Sequence, residues 1–163
     1  MSEKLASPEE LARLAYAASI RLLAKRDHSI HELIRKLQQR EHSEASIDNA
    51  VQELLDLNYL NDTRFAELYS EQRMNKGFGP LSIQAKLRER GIPAHLVRRG
   101  LKQLSVDWSE NAERIIHKRF NAVEISNTDQ KATARIARFL QSRGYAPSDA
   151  IRGLKKARRN IDK

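Results

Sequence analysis

The strongest constraint on this chain is an apolar pattern of helical period that returns after 50 and then 53 residues. Three pairs of apolar residues, each pair four positions apart, share this register: Leu33 and Leu37, Ile83 and Leu87, and Ile136 and Leu140. An arginine follows each pair three residues later, at Arg40, Arg90 and Arg143. A spacing of four places both members of a pair on one face of a helix. A pattern that returns at a nearly fixed interval is typical of tandem helical repeats, in which neighbouring units bury each other's apolar faces.

No stretch of the sequence shows the two-residue alternation of β-branched side chains that is typical of strands. The sequence therefore predicts an all-α protein, built as three tandem three-helix repeats in an elongated or curved array. The repeats are predicted over residues 1–59, 60–106 and 107–163. Their helices are predicted at about 8–25, 30–41, 44–57, 62–76, 80–90, 94–104, 108–120, 129–143 and 147–157, with a loop over 121–128.

Local signals mark where several of these helices start and stop. The residues with structural roles are Ser29, Glu32, Asp62, Gly79, Pro80 and Gly91. Ser29 and Glu32 have the spacing of a capping box. Pro80 suits a first helical position, which needs no N–H, and Gly91 suits a helix end.

The apolar stripes also predict which side chains are buried. Burial is predicted for Leu11, Leu14, Leu68, Phe120, Phe139 and Ile151. Phe78 lies between two glycines, and two alternatives stay open for it. It either packs under its own loop or is exposed, where it could stack on a base or a partner.

The charge of the chain is distributed unevenly. The 163 residues carry 30 Lys+Arg and 21 Asp+Glu, a formal net charge of +9. Residues 1–60 hold 8 Lys+Arg and 10 Asp+Glu, a net of −2, whereas residues 61–163 hold 22 and 11, a net of +11. A basic later part predicts a polyanionic partner: nucleic acid, an acidic protein surface, or a complex that presents both. The alternative is that these cations only keep the helices soluble.

The excess cations fall on a few helix faces. The candidate contact residues for a protein partner or nucleic acid are Lys76, Lys86, Arg88, Arg90, Arg98, Arg99, Lys102, Arg152, Lys155, Lys156 and Arg159, and Lys163 continues the last of these faces. Only Glu89 and Asp162 interrupt these faces, so few i,i+4 ion pairs are available along them. Like charges are therefore expected to repel one another until a partner neutralises them.

No arrangement of residues predicts catalysis. Asp27, His28 and Ser29 contain the letters of a hydrolase triad, but a triad needs groups that converge from separate segments. His28 and His31 are a weak metal pair with no further ligand nearby in sequence. We therefore expect no enzyme activity, no cofactor and no metal. The chain has no cysteine, no apolar signal segment at its N-terminus and no run of about 18 apolar residues, so we expect a cytoplasmic monomer.

A set of motifs from about residue 15 to residue 151 resembles a known family. They are Arg26–Ser29 (RDHS) with Glu32-Leu33 and Lys36-Leu37; Tyr59-Leu60, Asp62 and Arg64-Phe65-Ala66; Lys76-Gly77 and Gly79-Pro80; Leu87 and Arg90-Gly91-Ile92; and Phe139-Leu140 with Arg143-Gly144-Tyr145. The chain resembles RecX, the bacterial regulator of the RecA recombinase. Asn58 stands where the family often has glycine, and Asn61 where it often has an acidic residue.

This resemblance implies tandem three-helix repeats and a function in homologous recombination, DNA repair and the SOS response. It implies binding to RecA filaments on DNA, along their helical groove, with inhibition of ATPase, strand-exchange and coprotease activities. Contact with single- or double-stranded DNA is expected to be weak and non-specific. Two other classes stay open: a stand-alone DNA-binding protein that uses the third helix of one unit for recognition, and a metal-dependent nuclease, for which no clustered carboxylates are visible.

Overall fold

The protein is described by a computed structural model that covers residues 6–161. Within that span the fold is all-α, as predicted, with ten helices and no strand. The helices are α1 Pro8–Leu23, α2 Ile30–Gln38, α3 Glu44–Asp56, α4 Asp62–Asn75, α5 Pro80–Glu89, α6 Ala94–Gln103, α7 Trp108–Arg119, α8 Ala122–Ser126, α9 Gln130–Ser142 and α10 Pro147–Ile161. None of these helices is both long and apolar enough to cross a membrane.

The expected loop over residues 121–128 is wrong, because it contains the short helix α8. Asn121 accepts a hydrogen bond from the Glu124 N–H, and the Glu124 carboxylate accepts one from the Asn121 N–H. This reciprocal cap and the buried side chain of Ile125 stabilise a single helical turn. The last helix is also longer than predicted and continues to Ile161, whereas Lys163 and Asp162 lie outside the described residues.

Three separate apolar clusters form the core, and each contains one of the repeated pairs. The six residues of those pairs are almost inaccessible to solvent: Leu33, Leu37, Ile83, Leu87, Ile136 and Leu140. The helix pairs with extensive contacts all fall within α1–α3, α4–α6 or α7–α10. Trp108 packs against both the second and the third cluster, and Leu60 packs in the first. The division of the chain into units at residues 59 and 106 stays a prediction.

Four leucine and isoleucine side chains that were expected in the core are exposed instead. Their exposed fractions are 38% for Leu11, 55% for Leu14, 49% for Leu68 and 54% for Ile151. On α1 and α10 the buried faces are built largely from small residues, such as Ala15 and Ala18 on α1. Small residues let neighbouring helices approach closely, so the buried face turns away from the larger side chains.

The three groups of helices are joined end to end, where the C-terminus of one helix meets the N-terminus of another. At the first junction, α5 ends against the start of α2, and the Ser29 hydroxyl donates to the Arg90 carbonyl at 2.5 Å. The Ile30 N–H donates to a carboxylate oxygen of Asp62 at 2.9 Å. Asp62 was expected to help start its own helix, but Asn61 caps α4 by accepting from the Arg64 N–H. The carboxylate of Asp62 instead supports the start of α2.

At the second junction, α9 ends against the start of α5. The Gly79 N–H donates to the Arg143 carbonyl at 2.7 Å, and the Leu81 N–H donates to the Gly144 carbonyl at 3.0 Å. Helix α5 has no side-chain cap, and Pro80 has no N–H to satisfy. The carbonyls at the end of α9 therefore satisfy free N–H groups at the start of α5, and the opposite partial charges of the two helix ends attract.

Both junctions depend on a glycine at the end of the incoming helix. Gly91 has φ of +74° and Gly144 has φ of +89°, which is left-handed backbone that other residues adopt at a cost. A Cβ atom at Gly91 would overlap the side chain of His31, and one at Gly144 would overlap Ser82. Glycine is therefore required at both positions for conformation and for space.

We predict that Gly144→Ala lowers the free energy of unfolding by about 2–4 kcal/mol, because left-handed strain and overlap with Ser82 add together. Gly77 is the matched control, since its φ is also +89° but a Cβ there meets only the flexible end of the Ile115 side chain at 3.1 Å. Gly77→Ala should cost about 1–2 kcal/mol. Urea unfolding followed by circular dichroism measures the free energy of unfolding of both variants. Equal decreases in the two variants would contradict a close end-to-end contact at Gly144.

Candidate partner-binding surfaces

The first junction carries a cluster of charged side chains around Glu32. This carboxylate accepts hydrogen bonds from Arg26 at 3.2 Å and also pairs with Arg90, which lies 58 positions later in the chain. Burial would raise the pKa of Glu32, but the hydrogen bonds from Arg26 and the Ser29 N–H and the charge of Arg90 outweigh it and lower the pKa. Glu32 is therefore a charged residue that connects the first two groups of helices.

The aromatic ring of Tyr69 lies next to this cluster. The guanidinium carbon of Arg90 is 5.0 Å from the ring centre of Tyr69, and Tyr69 stacks on Phe65 with ring centres 5.7 Å apart. Arg90 is thus held by a carboxylate on one helix and an aromatic ring on another. Arg90 was predicted to contact a partner, whereas its side chain is largely occupied by these contacts inside the protein.

Two open cavities of about 520 and 600 Å³ adjoin at Tyr69 and Arg90. The first is also lined by Arg26, Asp27, Phe65, Leu68 and Gln72. The second is also lined by Glu32, Arg35, Arg73, Lys86 and Glu89. Together they form a groove across the first junction, with a mixture of cations, carboxylates and apolar surface. The exposed side chain of Leu68, which was expected in the core, forms part of this groove.

The groove contains three arginines that were not among the predicted contact residues: Arg26, Arg35 and Arg73. Arg26 is part of the RDHS motif just before the capping box, and this position in the sequence could have identified it as a residue of the junction. Arg35 and Arg73 carry no comparable local signal, because only folding brings α2 and α4 to the same groove.

His28 is almost fully buried beside this cluster. Its Nδ1 lies 2.9 Å from the Arg26 carbonyl, and its Nε2 lies 3.0 Å from the Lys36 ammonium nitrogen. Because lysine can only donate, Nε2 accepts and Nδ1–H donates to the carbonyl. Burial lowers the pKa of His28, and the charges of Arg26 and Lys36 lower it further, so the ring is neutral near pH 7. His31 is exposed and lies against Gly91 instead.

The hydrogen bonds of His28 leave neither ring nitrogen available to a metal. Within residues 6–161 no group of three or more His, Asp or Glu side chains is placed to hold a metal ion. Ser29, Glu32 and Asp62 act at helix starts and at the junction. The structure thus assigns the Asp27–Ser29 segment to helix capping and junction contacts.

Many of the predicted contact cations have carboxylate partners in the structure. Within 4 Å, Lys86 pairs with Glu89, Arg90 with Glu32, Arg99 with Glu67, Arg152 with Asp149, and Lys156 with Asp107 and Glu110. The expectation that these faces lack internal partners is therefore wrong for five of the eleven residues. The partners of Arg90, Arg99 and Lys156 come from other helices or from loops, which helix spacing alone does not reveal.

The remaining six cations are exposed and have no carboxylate within 4 Å among residues 6–161. They are Lys76, Arg88, Arg98, Lys102, Lys155 and Arg159. Arg88 lies on α5, and Arg98 and Lys102 lie on α6. These six side chains are available to a negatively charged partner without the loss of an internal ion pair.

Comparison with known proteins gives the family. Residues 15–54 match the first three-helix domain of RecX, and residues 61–101 match its second three-helix domain. A regulatory protein RecX from Vibrio campbellii is 34% identical over 146 residues, which cover 90% of this chain and 91% of that protein. The chain belongs to the RecX family. Another regulatory protein RecX, from Trichlorobacter lovleyi, is 37% identical over 142 residues, covering 85% and 92% of the two chains.

Solved RecX structures show the same fold. The crystal structure of RecX from Lactobacillus salivarius superposes with a TM-score of 0.79 at 22% identity, over 91% of this chain and 97% of that one. A second RecX crystal structure gives a TM-score of 0.73 at 17% identity, over 91% and 73%. The RecX relatives are named regulatory proteins, so the coarse function of the family is regulation.

We predict that Glu32→Gln lowers the free energy of unfolding at pH 7 by about 1–3 kcal/mol, because two arginines lose a charged acceptor. The pKa of Glu32 is lower in the folded state than its ordinary value of 4.5. Its stabilisation is therefore complete above that pH and is lost as the pH falls through the folded-state pKa. The difference between the parent and the variant should accordingly shrink at pH 3.

Glu89→Gln is the matched control, since Glu89 pairs with Lys86 but both side chains are largely exposed. That variant should lose about 0.5 kcal/mol or less. Urea unfolding at pH 7 and pH 3 tests the pair. A Glu32 variant no less stable than the Glu89 variant would contradict a structural role for the Glu32 cluster.

Proposed function

We propose that this RecX-family protein binds RecA recombinase filaments on DNA and inhibits their ATPase, strand-exchange and coprotease activities. The observation that carries the proposal is the similarity, over about nine-tenths of the chain, to proteins named regulatory protein RecX. The six exposed cations that have no carboxylate within 4 Å among residues 6–161 support it, since a filament on DNA presents phosphates and acidic protein surface. In this proposal the protein acts in the cytoplasm as a monomer, in homologous recombination and the SOS response.

The proposed mechanism uses binding alone and no chemical step. Arg88, Arg98 and Lys102 would meet the filament from α5 and α6, and Lys155 and Arg159 would meet it from α10. The first group of helices has a net charge of −2 over residues 1–60, and we assign it to protein contacts. Contacts spread over several helix groups would bridge recombinase protomers. A ligand that binds one filament state more tightly than another shifts the filament toward the favoured state.

The structure changes which residues should be varied to test this surface. Arg90 pairs with Glu32, so its reversal would damage the first junction as well as any contact. Arg88, Arg98 and Lys102 are exposed and have no carboxylate partner among the described residues. Their reversal therefore tests binding with little effect on folding.

We predict that the parent protein inhibits the DNA-dependent ATPase of its cognate RecA on single-stranded DNA well below one molecule per protomer. The variant Arg88→Glu/Arg98→Glu/Lys102→Glu should need about tenfold more protein, because contact charges become repulsive. The matched control Lys118→Glu/Lys131→Glu/Arg138→Glu reverses three exposed cations of α7 and α9 that the proposed mechanism does not use. It should stay within about twofold of the parent.

The results of this experiment test the recombinase function and the assigned contact residues separately. A folded parent with no effect on the ATPase would overturn the recombinase function, and sequence-selective duplex binding without RecA would then favour the stand-alone DNA-binding alternative. Equal losses in both triple variants would keep the function but overturn the assignment of Arg88, Arg98 and Lys102.

A further inference from the structure

Seven side chains near the second junction alternate between arginine and phenylalanine. In spatial order they are Arg73, Phe78, Arg143, Phe139, Arg119, Phe120 and Arg135, and we call them the arginine–phenylalanine row. They come from α4 and the loop that follows it, from the C-terminal end of α7 with the next residue, and from α9 with the next residue. None of its four arginines is among the contact residues predicted from the sequence, whereas contact with a base or a partner was one of the two alternatives for Phe78.

Each ring of the row is approached by two guanidinium groups. The distances from guanidinium carbon to ring centre at Phe78 are 3.6 Å for Arg73 and 4.9 Å for Arg143. At Phe139 they are 5.4 Å for Arg143 and 6.0 Å for Arg119. Arg143 and Arg119 therefore each lie between two rings, which restricts their motion before any partner binds.

The row ends at Phe120, where Arg119 and Arg135 both lie 5.5 Å from the ring centre. Arg135 also pairs with Glu124 at 3.0 Å. Within residues 6–161, the side chains of Arg119 and Arg143 make no hydrogen bond and no ion pair. The row thus contains cations that are held in place but not neutralised.

Arg73, at the other end, likewise lacks a charged partner in the part of the chain that the structure describes. Its side chain makes no ion pair within residues 6–161, and its buried Nε has no hydrogen-bond partner there. Arg90 provides the contrast, because it also lies over an aromatic ring but is neutralised by Glu32. Arg158 is a second contrast, because its side chain donates hydrogen bonds to the Ile125 and Asn127 carbonyls. Within residues 6–161 the side chains of Arg73, Arg119 and Arg143 have neither kind of partner.

We propose that the arginine–phenylalanine row is a binding site for the phosphate backbone of nucleic acid. A guanidinium group that lies on a ring keeps its N–H edge for a phosphate, which it can bind through two hydrogen bonds. Successive cations suit a linear polyanion. Because guanidinium groups already occupy positions over the rings, bases have few open ring faces to stack on, and binding should not depend on base sequence.

An acidic peptide suits the row less well. Peptides are usually recognised through side chains that enter pockets. The cavity beside Phe120 and Arg135 has a volume of about 90 Å³, which is too small for an aromatic anchor. The cavity of about 600 Å³ at the Arg73 end is also lined by Glu32 and Glu89, whose carboxylates disfavour an acidic side chain. A phosphate backbone needs only positioned cations. Binding at this site requires no recombinase, so it can be tested independently of the function proposed above.

The test is fluorescence anisotropy of the full-length protein with a labelled oligo(dT) and with a labelled duplex of equal length, over a range of salt concentrations. Arg119→Gln/Arg143→Gln should bind oligo(dT) about tenfold more weakly at low salt, and its slope of log affinity against log salt should fall by about 1.4, or about 0.7 for each lost phosphate contact. The matched control Arg13→Gln/Arg21→Gln removes two exposed cations from α1 and should keep the parent's slope.

Arg143 packs against Phe78 and Phe139, so the single variant Arg119→Gln provides a second measurement if the double variant is unstable. Arg119 is exposed, and its loss should reduce the slope by about 0.7. A salt slope that is unchanged in Arg119→Gln and in a folded double variant overturns the site, as does an equal loss of affinity in the α1 control.

A loss of affinity that is confined to oligo(dT) or to the duplex identifies whether the row binds the backbone of single-stranded or of double-stranded nucleic acid. Displacement of DNA by polyglutamate at the same charge concentration, as effective as by unlabelled DNA, overturns the assignment to nucleic acid.

Discussion

The end-to-end contacts between helices are the constraint on which the rest of the structure depends. Each helix group has its own apolar cluster, and the extensive helix contacts stay within the groups. The relative placement of the groups therefore depends on the packing of Trp108 against two clusters, the pairing of Arg90 with Glu32, and a few hydrogen bonds at the ends of α5 and α9. Those bonds form only where a glycine lets one helix end approach the next helix start. Each repeat of about 50 residues thus supplies its own apolar core, and the second and third repeats also supply a connection to the preceding unit.

The junctions also decide which cations can bind a partner. Arg90 and Arg143 occupy the same place in the repeat, three residues after an apolar pair, and both carbonyls accept hydrogen bonds from a neighbouring helix start. Their side chains differ in what surrounds them. Arg90 pairs with Glu32 and is part of the first junction. Arg143 contacts two phenylalanine rings and has no carboxylate partner among the described residues. Equivalent residues in a repeat can therefore carry different functions.

The fold was predictable from the sequence where the signals are local. The apolar pairs and the capping box of Ser29 and Glu32 need only the helical period and a three-residue spacing. The prediction was wrong where the partner is distant in sequence: Asp62 supports α2, and Leu14 is exposed because α1 packs through small residues. The site was less predictable, since counting cations along a helix does not show which of them a carboxylate from another helix neutralises.

A net charge of +9 is therefore a poor measure of the surface that a polyanion meets. A cation inside an ion pair contributes little to binding unless its carboxylate is displaced, and an exposed flexible lysine loses conformational entropy when it is fixed. An arginine that already lies on an aromatic ring loses less, because folding has restricted it. The cations best suited to bind phosphate are consequently those that combine a ring contact with the absence of a carboxylate. By this criterion Arg73, Arg119 and Arg143 rank above the exposed cations of α6 and α10, although no helical periodicity joins the three in the sequence.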